Sequence, residues 1–193
     1  MALLSALAGL VADPSFRQAV AFLRFPETRA WLAGEGISMK AGLLFGELDD
    51  LLSKRIPVSL RDAVGLASGD LGNALRKLAG LVGNLRKEPF AATLRNFLVG
   101  ATADREFDSE VASDQSYVSL APLFSEILDD LDAAGGGSVD LAFSMLLDSL
   151  RSNRVLQRSD PAALPMQGWL ELPWEPAPRL LLAGFNEGCV PDP

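Results

Sequence analysis

Leu71-Gly-Asn-Ala-Leu75-Arg-Lys-Leu78-Ala-Gly-Leu-Val82-Gly-Asn-Leu85-Arg-Lys87 is the stretch on which the fold turns. Its apolar residues at 71, 75, 78, 82 and 85 alternate steps of four and three, the spacing of one helical stripe. Pro89 stops it, because proline has neither the amide nor the room to continue a helix. The polar side carries Arg76, Lys77, Arg86 and Lys87, with Asn73 and Asn84 between them. A helix with one long apolar stripe must bury it against other helices or a sheet.

The neighbours on both sides are helical too. Upstream, Leu3, Leu4, Leu7, Leu10 and Val11 form a first stripe. Asp13-Pro14 has the form of an N-cap with proline at the first helical position. Phe16, Ala19, Val20 and Leu23 then carry a second helix that stops before Pro26. A short third turn covers about Glu27 to Ala33 and ends in a Gly34/Gly36 loop. Leu44, Leu48, Leu51 and Leu52 mark the next helix, closed by Pro57. Gly65, Gly69 and Gly72 read as loop or packing glycines. Downstream, Phe90, Leu94, Phe97 and Leu98 form a stripe. A polar segment from Asp104 is helical up to about Pro122. Leu123, Phe124, Ile127, Leu128 and Leu131 make another helix, stopped by Gly135-Gly136-Gly137. Ser138 caps a last one, with Val139, Ala142, Phe143, Leu146, Leu147 and Leu150 inward.

After about Ser159 the character changes. Pro161, Pro165, Pro173, Pro176 and Pro178 forbid a long helix. Two extended pieces fit, about Met166–Leu172 and Arg179–Ala183. The second is continuously apolar, as in a strand buried on both faces. Such a strand needs neighbours that this chain scarcely offers, so a piece excised from a longer protein is expected. The expected fold class is mainly α (α+β). A helical bundle over 1–158 is joined to a Pro-rich segment, 159–193, with a short β portion, and 1–193 is a single fragment.

Composition excludes much chemistry. Of 193 residues, 49% are apolar, enough for a real core and too many for a disordered chain. There are 17 Lys and Arg against 25 Asp and Glu, a net charge of −8. That charge repels phosphate at long range and leaves only a local basic stripe for nucleic acid. No histidine is present, which removes Ser-His-Asp and Cys-His catalysis and His-ligated metals. Cys189 is alone, so no internal disulfide or cysteine zinc cluster can form. The apolar opening at Met1–Ala12 lacks a basic flank and is too short to span a bilayer. A cytoplasmic protein with no membrane role is expected.

The candidate sites are few. A P-loop needs Gly-Lys-Ser/Thr to hold phosphates. Here the lysines follow Met39, Ser53, Arg76 and Arg86, so no nucleotide cofactor is expected. Glu126, Asp129 and Asp130 have the spacing to share a divalent cation. They also lie opposite the Leu123/Ile127/Leu131 face, where solvated charge belongs, and no metal site is assigned. The basic stripe of Arg76, Lys77, Arg86 and Lys87 is the stronger feature. Ten residues is nearly three turns, so the two pairs are expected to point broadly the same way and to follow a phosphate backbone. Arg151, Arg154 and Arg158 form a second basic group at a helix C-terminus, where cations already suit the macrodipole. Trp169 and Trp174 have rings that can stack on bases, but Trp beside prolines is more often a packed lid, and that role is expected here.

The tail reads Arg179-Leu-Leu-Leu-Ala-Gly184-Phe-Asn186-Glu187-Gly188-Cys-Val-Pro191. An apolar strand followed by Gly-x-x-Glu-Gly-x-x-Pro resembles the strand and turn after motif V of UvrD-like superfamily I helicases. It is more similar to the helicase-like part of AddB-type and RexB-type proteins, which carry a PD-(D/E)XK nuclease domain further on. The Gly168-Trp-Leu-Glu-Leu segment also resembles theirs. The likeness covers about 26 residues, Met166 to Pro191. An active helicase carries Thr-x-His-x-x-Lys-Gly upstream, where this chain has Gly168, Leu170 and Pro173. No Asp-x-Lys or Glu-x-Lys pair of a nuclease occurs. The resemblance therefore implies an inactivated helicase region of a protein acting in DNA double-strand-break repair and recombination. In that setting Gly184, Asn186, Glu187, Gly188 and Pro191 shape a structural turn. The segment serves as a scaffold or DNA guide, not as an enzyme, although its parent is an exonuclease. Its expected partners are DNA, bound weakly and without sequence preference, the rest of the parent chain, and a partner helicase-nuclease subunit. A protein-interaction module without nucleic-acid binding is the alternative.

Overall fold

Nine helices and no strand are found among the residues that the computed structural model describes, 1–87, 89–103, 105–108, 111–133 and 137–152. They are α1 (Ala2–Ala12), α2 (Phe16–Leu23), α3 (Pro26–Gly34), α4 (Ala41–Arg55), α5 (Leu60–Leu66), α6 (Gly69–Lys87), α7 (Phe90–Thr102), α8 (Ala112–Ala133) and α9 (Val139–Ser152). The two extended pieces expected at Met166–Leu172 and Arg179–Ala183 lie outside the described residues.

The Leu71–Leu85 stripe is the spine of the bundle. Leu71, Leu75, Leu78, Val82 and Leu85 are all buried. Around α6 pack α5, α7, α1 and α4, while α3 lies along α7 and α9 along α1. Aromatic rings lock the α2–α3–α7 corner. Phe22 stacks at 5.8 Å from Phe97, and Trp31 meets Phe97 edge-on at 5.4 Å. A second edge-on pair, Phe90 and Phe143 at 4.9 Å, ties α9 to the start of α7. Each such side chain contributes about 1.5–3 kcal/mol by leaving water.

Two local expectations are corrected and one helix is added. Asp13 does not cap α2. It closes α1, its N–H bonded to Gly9 O at 2.9 Å, and Ser15 takes the cap by accepting from Gln18 N–H at 3.4 Å. Pro14 lies in a tight turn in which Ser15 N–H donates to Asp13 O at 2.8 Å, and Pro14 O accepts from Leu60 N–H at 2.8 Å. Phe16 N–H returns a bond to Val58 O at 3.0 Å. An antiparallel bridge between Ser15 and Ser59 thus staples the starts of two helices together.

The second of those helices, α5, fills a stretch to which the spacing assigned no element. Ser59 and Asp62 form a capping box, each side chain accepting from the other's backbone N–H at 3.1 Å. The Ser59 hydrogen bonds hold the Asp62 carboxyl below its ordinary range. The two helices expected around Pro122 are one, α8. Pro122 lacks the N–H that would reach Val118 O, a defect of about 3 kcal/mol in a helix interior. Both residues are exposed, so water can serve the orphaned carbonyl. Buried Leu128 and the Arg95–Asp129 ion pair at 2.6 Å hold the second half of α8 in place.

Candidate nucleic-acid interface

An open groove of about 750 Å³ runs between α6, α7 and the end of α3. From α6 come Asn73, Arg76, Lys77, Gly80, Leu81 and Asn84. At about 100° per residue, Asn73, Lys77, Gly80 and Asn84 fall within one narrow stripe, with Arg76 on its edge. This polar stripe lies away from the buried leucines, so the helix that builds the core also presents the groove. From α7 come Thr93, Asn96 and Phe97, and from α3 come Trp31 and, just past its end, Glu35, Gly36 and Ile37.

The end of α3 is a Schellman motif. Ile37 N–H reaches Leu32 O at 2.9 Å and Gly36 N–H reaches Ala33 O at 2.9 Å. Gly36 takes φ +81°, where a side chain would be strained. Ile37 is buried beside Leu32. This turn sets Glu35 at the groove's rim, where its Oε2 lies 2.5 Å from Lys77 Nζ. The pair is half-exposed, with Lys77 at 48% and Glu35 at 40%. Arg76 is exposed and has no hydrogen bond or ion pair among the described residues.

The stripe expected from spacing is therefore divided. Ten residues fall about 80° short of three full turns, which carries Arg86 around the helix. Its Nη2 donates to Val11 O at the C-terminal end of α1, where a cation complements both the free carbonyls and the dipole. Arg76 and Lys77 share the groove, Lys87 is exposed outside its lining, and Arg86 belongs to the α1 contact. Arg151 lies 3.3 Å from Asp148 on its own helix. Arg154 and Arg158 lie outside the described residues, as do Gly184, Asn186, Glu187, Gly188 and Pro191.

The acidic side of α8 forms no metal centre with three or more acidic or cysteine ligands among the described residues. Asp129 is engaged by Arg95, which also donates to Ser125 O at 3.0 Å. A separate charged cluster closes the loop before α8. Arg105 pairs with Asp114 at 2.5 Å and lies over the rings of Phe107 and Tyr117. The Asp114 hydrogen bond raises the Arg105 pKa further, so this cation stays charged.

Sequence reasoning placed Asn73, Arg76, Lys77 and Asn84 together, and missed Glu35, Asn96 and Trp31. The Gly34-Glu35-Gly36 run signals a helix end. Nothing local signals that Glu35 meets a lysine 42 residues away. No helix among the described residues is long and apolar enough to cross a membrane. No protein-family model, no curated protein and no solved structure matches this chain.

Proposed function

We propose that this chain is a non-catalytic helical scaffold that guides DNA, part of an AddB/RexB-like protein with an inactivated helicase region. The observation that carries the DNA reading is the grouping of Arg76 and Lys77 with the amides of Asn73, Asn84 and Asn96 in one open groove. Cations supply non-specific attraction to phosphate, and amides add hydrogen bonds to backbone or base edges. The family reading rests on the sequence of the tail, Met166 to Pro191. With it come the cytoplasm as compartment, double-strand-break repair as setting, and the parent chain and a helicase-nuclease subunit as partners.

Binding is weak, because two groove cations work against a net charge of −8. Four stripe contacts on duplex imply a log–log salt slope of about −3 to −4, whereas the two in the groove imply about −2. Fluorescence anisotropy with unrelated labelled sequences, at two salt concentrations, tests this. The Arg76→Ala/Lys77→Ala variant loses affinity equally on all sequences and flattens the slope. Unchanged affinity removes the groove from the reading.

A second reading, a protein-interaction module, draws support from the corner between α4 and α5. Ile56 and Val58 are 71% and 77% exposed there, beside Leu66 and between Arg55 and Arg61. Ile56 also sits at φ +48°, a left-handed conformation that costs a β-branched residue about 1–2 kcal/mol. Absence of DNA binding by the wild type at low salt favours this second reading.

A further inference from the structure

The rim of the groove holds an acid where a DNA-guiding surface would be expected to avoid one. The fold of the backbone places Glu35 there. The Schellman turn at Leu32–Ile37 fixes its backbone, and Gly36 makes that turn possible. Its carboxylate occupies Lys77, one of the two cations that line the groove. Arg76, the adjacent residue, makes no ion pair among the described residues. The two neighbouring cations are therefore in different states before any ligand arrives.

We infer that Glu35 is a built-in competitor for the groove's phosphate, exchanged for a phosphodiester oxygen at Lys77 when nucleic acid enters. The inference rests on the DNA reading of the groove and names its affinity-limiting residue. Arg76 supplies the standing attraction, and Lys77 is engaged only as Glu35 lets go. A half-exposed ion pair is worth little in water, so the exchange is fast and its penalty small. The exchange also masks one contact in the salt dependence. A phosphate neutralised by Lys77 releases a counterion, while the freed Glu35 carboxylate attracts one back. The groove thus stays open to a weak, sliding ligand and does not hold one tightly.

The test uses a fluorescein-labelled oligothymidylate and anisotropy titrations of the wild type, Arg76→Ala, Glu35→Gln, Lys77→Ala and Glu35→Gln/Lys77→Ala. Matched thermal melts confirm folding of each protein. Glu35→Gln is expected to tighten binding about two- to five-fold, the range of one exposed ion pair. It should steepen the log–log salt slope by up to about 0.7, one phosphate on a single strand. The double variant should fall back to the affinity of Lys77→Ala, because Glu35 acts only through that lysine. A Glu35→Gln protein no tighter than wild type overturns the inference. So does a double variant that keeps the gain, which would make the effect one of bulk charge. If the wild type binds through Arg76 and Glu35→Gln gains nothing, only the role of Glu35 falls. If none of the proteins binds, the DNA reading falls and this inference with it.

Discussion

The two faces of α6 obey different rules. One face carries Leu71, Leu75, Leu78, Val82 and Leu85, all buried, and is packed by four other helices. The other carries Asn73, Arg76, Lys77, Gly80 and Asn84 along an open groove. Even their glycines differ. A Cβ on Gly72 would sit 2.8 Å from the Ala67 carbonyl oxygen, inside van der Waals contact with backbone that cannot step aside. Nothing lies within 4 Å of the corresponding point on Gly80. A methyl has no room at Gly72 and open space at Gly80. The groove face is polar and open, which makes it available for a ligand.

The contrast can be broken most forcefully at Leu78, which is fully buried. Leu78→Ala should lower the unfolding free energy by about 2–5 kcal/mol in urea titrations, through lost burial and the cavity left behind. A loss under ~1 kcal/mol would mean that α6 is not the spine of the core.

The two glycines give a sharper comparison, because the same substitution should change sign on one helix. Gly72→Ala should destabilise by about 1–3 kcal/mol from overpacking, with the better helix propensity of alanine offsetting part of it. Gly80→Ala should stabilise by about 0.5–1 kcal/mol, since the groove receives the methyl freely and the unfolded chain loses freedom. Equal effects at both positions would contradict the packing described here.

The smallest effect on stability is expected at Arg76. Arg76→Ala should leave the unfolding free energy within about 0.5 kcal/mol of wild type, as for an exposed side chain with no polar partner among the described residues. A larger loss would show that the groove face does help hold the fold, and would weaken its assignment to a ligand.

Much of this was written in the order of residues. Hydrophobic steps of three and four marked α1, α4, α6, α7 and α9, because a buried stripe must repeat with the helical turn. Ser138 was legible as a cap, and its Oγ accepts from Leu141 N–H at 3.3 Å. The capping box at Ser59 and Asp62 went unread, because α5 is only seven residues long and its stripe too short to stand out. Asp13-Pro14 had the form of a cap, yet Ser15 is the residue that caps α2. The bridge to Ser59 holds Ser15 extended at the start of α2, a contact that no local pattern announces. Pro122 misled for the same reason, since the cost of an interior proline is local and the contacts that offset it are not.

Composition and periodicity were enough to determine that the described residues are mainly helical, that the chain has no histidine to offer, and that Arg76 and Lys77 stand on a polar face. Only the tertiary structure could decide which cations remain open. Arg86 is taken by a carbonyl 75 residues away in sequence, and Lys77 by a carboxylate 42 residues away. A side chain's charge is a property of its residue. Whether that charge is free for a ligand depends on which distant group the fold brings within reach.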